Sequence, residues 1–312
     1  MIEVESLSKS YGRVRALDGV SFSVRAGELF GIIGPDGAGK TTLFRLLTTL
    51  LTPDAGRAGV GGCDTVADYR TIRRRIGYMP GRFSLYPDLT VEENLTLFAT
   101  IFGTTIAENY DLIKDIYQDI EPFRHRPAGK LSGGMKQKLA LSCALIHKPE
   151  VLFLDEPTTG IDATSRKELW QMLRRLARQG ITLVVSTPYM DEACLCDRVM
   201  LLENGRTMAT ATPDELVQRF PKPLFSAVGP RMYPLLKALR RLPEVESCYA
   251  FGSMHHLTFR TSPPPDPQEI CRHLQQEGME GVEIRPIRPT VEDCYMQLAR
   301  SAPPLLPEGA AD

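Results

Sequence analysis

A chain of 312 residues, 43% hydrophobic and 24% charged, can bury a large core, and its length points to about two domains. Lys and Arg total 37 against 38 Asp and Glu, a net charge of -1, which argues against a surface built for nucleic acid. No run approaches the roughly 18 consecutive apolar residues of a bilayer span, and Met1–Ser6 lacks the basic start and apolar run of a signal peptide.

The seven cysteines, at 63, 143, 194, 196, 248, 271 and 294, are scattered and odd in number. Cys194 and Cys196 have no second pair to complete a zinc site, so all seven read as reduced thiols in a cytoplasmic protein.

Taken in order, residues 2–24 alternate apolar and polar in short runs, the period of half-buried antiparallel strands, with Tyr11 in the turn between them. An aromatic there can stack on a flat base or pack locally. Leu29–Ile33 reads as a short buried strand and Thr42–Leu51 as a helix. Between them, Gly34, Pro35, Asp36, Gly37, Ala38, Gly39, Lys40 and Thr41 fit G-x-x-x-x-G-K-[ST], a phosphate-binding loop. Glycines let the backbone wrap an anion with its N–H groups inward, and the helix that follows aims its positive end at the same charge. Lys40 would reach the outer phosphates and the Thr41 hydroxyl would hold Mg²⁺.

Arg73, Arg74 and Arg75 read as a solvated helix face, with acidic lipid headgroups as a weaker option. A short strand, Ile76–Met79, precedes a loop with Pro80, Gly81 and Pro87. Thr90 and Glu93 form a capping box for a helix to about Phe102, and 105–123 carries a helical stripe of Ile106, Tyr110, Ile113 and Tyr117.

In Leu131–Gln137, Ser132 is an N-cap, and Gly133 and Gly134 leave the first-turn N–H groups open to an anion; alone, this is simply a helix cap. Val151–Asp155 reads as a buried parallel strand ending in Asp155 and Glu156, at the end of a sheet that faces a ligand crevice. Asp155 suits Mg²⁺ and Glu156 suits a base that activates water, whereas Asp-Glu-Pro alone is a surface turn.

A loop with Gly160 and Asp162 leads to a helix over 165–179, a strand over 181–186, a further helix after Thr187, a hairpin with an Asn204-Gly205 turn and a short helix from Pro213 to Phe220. Past Pro221 and Pro223, the pattern is strand 224–228, helix 231–242, strands 245–251 and 256–261, helix 267–277 and strand 282–287, a β-α-β-β-α-β order of ferredoxin-like type, then a last helix from Thr290 to Arg300. His255 and His256 lack a third metal ligand and read as a surface strand end. The domains are therefore expected at 1–220 and 221–300, with a Pro- and Ala-rich tail at 301–312 expected to be disordered.

Together these motifs resemble the ATP-binding subunits of ABC transporters, in order across residues 1–220: Gly34–Thr41 as Walker A, Leu131–Gln137 as the family signature, Asp155-Glu156 as Walker B with its glutamate, and Gly160–Asp162 as the D-loop. The wording is similar to the branch serving ABC-2-type exporters, the daunorubicin-resistance-like and YbhF-like ATPases, and the Gly-Pro-Asp-Gly-Ala-Gly-Lys loop is nearest in style to the first nucleotide-binding domain of the YbhF-like proteins. The resemblance implies a P-loop α/β fold with an antiparallel β subdomain and a helical subdomain, and a small C-terminal α+β domain with a dimerisation or regulatory role. It implies ATP and Mg²⁺ as cofactors, ATP on Tyr11 and residues 34–42 including Thr42, metal on Thr41 and Asp155, and Glu156 as catalyst.

The same resemblance implies a dimer in which Ser132, Gly133, Gly134 and Gln137 meet the γ-phosphate held by the opposite subunit. It also implies ABC-2-type permease partners, a position on the cytoplasmic face of the inner membrane, and drug or hydrophobic cargo. Two departures stand out. The family's glutamine after strand 76–79 is Gly81 here, and its histidine after strand 181–186 is Pro188, which has neither a side-chain donor nor a backbone N–H. Asp36 also replaces the asparagine of many relatives.

The expectation is an ATPase forming the slow, degenerate half of an asymmetric pair with a second ATP-binding subunit, a homodimer being the alternative. A non-hydrolysing ATP-binding scaffold is the second reading. A soluble ATPase acting on ribosomes or DNA is the third, disfavoured because such proteins carry two such domains or a coiled-coil insertion.

Overall fold

The computed structural model describes residues 1–82 and 84–301, so the tail expected at 301–312 lies outside the described residues except for Ser301, which ends the last helix. The described chain divides into two compact units between Pro213 and Asp214, ahead of the 220/221 boundary read from the sequence.

The first unit holds two sheets. In the first, β1 (Ile2–Tyr11) pairs antiparallel with β2 (Val14–Val24) around the turn at Gly12 and Arg13, so Tyr11 ends a strand and does not lie in the turn. The second begins with β3 (Leu29–Ile33), which runs into the loop before α1 (Lys40–Leu47). Then come β4 (Ala55–Val60), β5 (Cys63–Asp64) and α2 (Tyr69–Arg75); the antiparallel sheet runs β2-β1-β4-β5. Ala55–Val60 is Gly- and Ala-rich, with no alternating pattern to announce a strand; pairing with β1 makes it one.

The chain continues through β6 (Ile76–Met79), α3 (Val91–Ile101), α4 (Ile106–Tyr117), α5 (Gly133–Leu145), β7 (Val151–Asp155), α6 (Ala163–Arg178), β8 (Thr182–Thr187), β9 (Arg198–Glu203) and β10 (Arg206–Ala211). The six-stranded order is β10-β9-β3-β8-β7-β6, parallel except for the antiparallel edge strand β10. Every residue of β3, β7 and β8 is buried, which explains their continuous apolar runs. Helix α1 lies between the sheets with Leu43, Phe44, Leu46 and Leu47 fully buried, at roughly 1.5–3 kcal/mol per large side chain.

The capping boxes of α3 (Thr90, Glu93) and α4 (Thr105, Glu108) are both formed. Helix α4 stops at Tyr117, and a separate short 3₁₀ turn, Glu121–Phe123, follows it. Helix α6 starts at Ala163, earlier than the apolar spacing indicates, because Asp162 caps it. Past β8 the chain makes a 3₁₀ turn, Met190–Leu195.

The arginine run lies on a solvent-facing side of α2, with Arg73 and Arg74 exposed, and two of its members are also tied down. Arg73 donates to the Thr49 hydroxyl (2.8 Å) and carbonyl (2.7 Å), and Arg75 forks onto Glu150 at 2.7 and 2.6 Å. Among the described residues, no helix is long and apolar enough to cross a membrane.

The second unit begins within α7 (Pro213–Gln218) and continues with β11 (Leu224–Val228), α8 (Met232–Arg241), β12 (Val245–Phe251), β13 (Met254–Phe259), α9 (Pro267–Gln276), β14 (Glu283–Ile287) and α10 (Val291–Ser301). Its antiparallel sheet runs β12-β13-β11-β14, the ferredoxin-like order. The earlier boundary has a cause: the Leu216 carbonyl accepts from the Cys294 thiol of α10 at 3.3 Å, tying α7 to this unit.

His255 and His256 are buried, not a surface strand end. Neighbours on β13 point to opposite faces. His255 Nε2 lies 2.7 Å from the Met232 carbonyl of α8, while His256 Nδ1 lies 2.8 Å from Asp293 Oδ1 of α10 and stacks on Phe251.

Candidate functional site

The parallel strands carry most of the candidate residues to one end of the sheet. Register sets Ile33 beside Thr187, Asp155 beside Ser186 and Met79 beside Leu154. The loop at 34–41, Asp155-Glu156, Pro188 and Gly81 therefore all follow carboxyl-terminal strand ends, where open α/β sheets bind ligands.

Gly34 cannot be replaced without displacing backbone, because a Cβ there would sit 2.2 Å from the Leu202 carbonyl oxygen. Gly39 has φ +103 and starts α1 with no side-chain cap, so the first-turn N–H groups are left for another partner. The turn of the β9–β10 hairpin braces this loop: Gly205 N–H donates to the Ala38 carbonyl (3.0 Å) and Asp18 N–H to the Gly205 carbonyl (2.8 Å).

Lys40 is buried to 3% exposure, yet its Nζ is held by the Gly34 and Pro35 carbonyls at 2.8 and 2.9 Å and by Glu156 Oε1 at 3.2 Å. Glu156 takes φ +51, a left-handed conformation costing roughly 1–2 kcal/mol for a residue with a Cβ. Its N–H donates to the Ser186 hydroxyl and carbonyl at 3.0 and 3.1 Å, and this turn carries its carboxylate toward Lys40.

A cleft of about 390 Å³ is lined by Tyr11, Val14, Arg15, Ala16, Asp36, Gly37, Gly39, Lys40, Thr41, Thr42, Glu156 and Asn204. Tyr11 is 45% exposed and lines this cleft. Asp36 is exposed at the same rim, which lessens the electrostatic conflict of a carboxylate in an anion cradle. Val14, Arg15, Ala16 and Asn204 are additions that no motif announces. A hairpin pattern in β1–β2 and an Asn-Gly turn are visible in sequence, but their meeting at this loop is a tertiary fact.

Asp155 is 2% exposed, does not line the cleft, and accepts from the Ser186 hydroxyl at 2.6 Å. Burial and then the negative charge of Asp155 push the Tyr78 phenol up to about 12, so it stays neutral beside the carboxylate. Among the described residues no three His, Cys, Asp or Glu side chains cluster as a metal site. One hydroxyl and one carboxylate fit a Mg²⁺ that keeps phosphate and water oxygens as its other ligands.

Ser132, Gly133, Gly134 and Gln137 do not join this cleft. Ser132 caps α5 by accepting from Met135 N–H at 3.3 Å, and Ser132 and Gly133 are exposed. A Cβ on Gly133 would lie 3.4 Å from the Gly160 carbonyl and one on Gly134 3.3 Å from Ser165 Oγ, so this helix start borders the loop before α6. Asp162 is occupied there: the N–H and hydroxyl of Ser165, with the Thr164 N–H, hold its carboxyl below the usual range.

Gly81 packs closely, its Cβ position 3.1 Å from the Asp155 carbonyl. Pro188 is half-buried, and beside it the Tyr189 ring lies under the Arg166 guanidinium at 4.3 Å.

A family model described as "ABC transporter" matches residues 17–159, which takes in the 34–41 loop, the 131–137 segment and Asp155-Glu156 but stops short of Asp162 and Pro188. Over 285 residues the chain is 39% identical to the probable multidrug ABC transporter ATP-binding protein YbhF of Escherichia coli (strain K12), covering 90% of this chain and 48% of that one; it thus spans about half the length of that relative. It is 35% identical to the Nod factor export ATP-binding protein I of Sinorhizobium fredii (95% of this chain, 85% of the relative) and 34% identical to the daunorubicin resistance ATP-binding protein DrrA3 of Streptomyces coeruleorubidus (95% of each). Among solved structures, it matches an ATP binding subunit of an ABC transporter at TM-score 0.65 and 30% identity, over 70% of this chain and 93% of that one. A dimeric cassette in a post-hydrolysis state bound to ADP and Pi matches at TM-score 0.63 and 27% identity, over 68% of this chain and 98% of that one.

Proposed function

Because this chain belongs to the ATP-binding proteins of ABC transporters, we propose that it binds Mg-ATP and hydrolyses it to ADP and phosphate as the cytoplasmic motor of an ABC-2-type exporter, on the inner face of the membrane and docked to permease subunits. One observation carries this reading: Tyr11, the 34–41 loop and Glu156 line a single cleft.

Tyr11 stacks on adenine at the mouth. The N–H groups of the loop and of the α1 start surround the phosphates, and Lys40 turns from the loop carbonyls toward them. Glu156 orients the attacking water and accepts its proton. Thr41 and Asp155 would hold Mg²⁺, whose charge would offset that of the phosphates. Ser132 and the bare helix start at Gly133, exposed away from this cleft, serve a nucleotide held by a second ATP-binding subunit.

Gly81 and Pro188 make this chain's own site the slower of the two. One missing preorganised polar contact costs about 10²–10³ in rate, and two cost more, though not additively. A heterodimer with a second, complete subunit is therefore favoured over a homodimer. Cargo of the drug or hydrophobic class is supported by the multidrug and daunorubicin-resistance names of two relatives, while a third is named for Nod factor export.

The test compares ATPase rates of the assembled complex carrying Glu156→Gln here or the equivalent change in the partner. The partner's change should abolish turnover and Glu156→Gln should leave most of it. The reverse outcome refutes the asymmetry. A complex inactive without either change, yet able to bind ATP, favours the scaffold reading, which Gly81 and Pro188 also suit.

A further inference from the structure

Glu192 is a buried carboxylate that no part of the catalytic scheme above uses. It is 1% exposed and belongs to the 3₁₀ turn after β8. Its Oε2 accepts from Thr187 Oγ1 at 2.5 Å and from Thr158 Oγ1 at 3.1 Å. Thr187 ends β8, immediately before Pro188; Thr158 lies two residues beyond Glu156. One carboxylate oxygen thus joins the strand end with the missing histidine to the loop of the base.

The other oxygen, Oε1, has no hydrogen-bond partner among the described residues and faces Arg166 Nε at 3.6 Å, itself buried without one. A buried carboxylate with one unmatched oxygen is costly unless a cation balances it. Arg166 supplies that charge from α6, the helix capped by Asp162, and its guanidinium also covers the Tyr189 ring at 4.3 Å.

We propose that Glu192 and Arg166 are positioning residues for ATP hydrolysis. They clamp the turn at 187–192 to the 156–158 loop and so hold Glu156 in place at a site where Pro188 offers no donor of its own. The clamp also gives the Asp162 loop a route to Glu156, since Arg166 rides on the helix which that loop begins. This rests on the proposed ATPase function.

Arg166→Ala, Arg166→Lys and Glu192→Gln in the full chain test it, by steady-state ATPase, ATP affinity from equilibrium dialysis and backbone hydrogen exchange. Arg166→Ala should lower kcat on the order of 10- to 100-fold, the scale of a small misplacement of a reacting group, with KM and ATP affinity within about twofold. Arg166→Lys should recover part of the loss. Exchange should rise in 156–160 and 187–192 and stay unchanged in 34–41. If Arg166→Ala does not fold, the nearly isosteric Glu192→Gln is read in its place, with the same directions expected. A kcat within about twofold of the unaltered chain, affinity falling in step with kcat, or unchanged exchange in both segments overturns the proposal. Should neither the unaltered chain nor its assembled complex hydrolyse ATP, the functional reading fails, and the exchange measurement alone decides the clamp.

Discussion

In the second unit, buried polar groups are mostly matched within a short reach. His256 meets Asp293 at 2.8 Å, and Asp293 in turn caps α10 by accepting from the Thr290 N–H and hydroxyl. At the carboxyl ends of β3, β7 and β8 in the first unit the chain does the reverse. Glu156 sits at φ +51, α1 starts with no side-chain cap, and Glu192 Oε1 is left without a hydrogen bond among the described residues. Backbone strain such as that at Glu156 costs of order 1–3 kcal/mol and gathers where a ligand or a reaction would make use of it. The contrast sets polar groups closed on one another in the second unit against groups left open at the strand ends of the first.

Gly34→Val should give the largest effect. Its Cβ would meet the Leu202 carbonyl at 2.2 Å, so the loop must open, and ATP affinity should fall by about 100-fold or more, roughly 2.7 kcal/mol, by isothermal titration. Near-normal affinity would mean that the 34–41 loop is not the phosphate cradle. Next, Pro188→His should raise the ATPase rate of this site toward the order of 10² that one restored polar contact carries. Gly81→Gln should gain less, because its Cβ must press 3.1 Å from the Asp155 carbonyl. No gain from either would show that the two positions do not limit the rate.

Asp293→Ala should destabilise the second unit by about 1.5–3 kcal/mol in urea unfolding, the scale of a charge-assisted hydrogen bond, with the KM for ATP unchanged. A shift in KM would blur the division of labour.

The smallest effect concerns His147, stacked on Phe102 at 3.7 Å with Nε2 2.9 Å from the Ile76 carbonyl. Burial pulls its imidazole below the ordinary 6.5. The unfolded chain then binds the proton more readily than the folded one, so stability is retained above pH 6.5 and lost as pH falls toward the lowered folded value. His147→Gln should flatten this slope in thermal melts between about pH 5 and 7.

Much of the site is legible in the sequence because backbone demands dictate its residue types. A loop around phosphate needs Gly34 and Gly39, and a strand ending in Asp155-Glu156 shows itself by its apolar run. The order of elements in the second unit is equally plain from its alternating periods. Less visible are features made by distant partners. Arg15 and Asn204 reach the cleft only because two hairpins converge, and β4 is a strand only because β1 pairs with it. His256 is buried by Asp293, 37 residues away. Glu192 carries no motif in the sequence; only its tertiary neighbours Thr158, Thr187 and Arg166 mark it out.

The central claim is that this cleft holds the triphosphate of ATP on Lys40. Equilibrium dialysis of the full chain with labelled ATP and Mg²⁺ tests it most directly, comparing the unaltered protein with Lys40→Ala. The account predicts one ATP bound per chain and affinity lower by about 10- to 100-fold in the variant, the worth of a hydrogen bond to a charged group. No binding by the unaltered chain, or binding indifferent to the loss of Lys40, would contradict it.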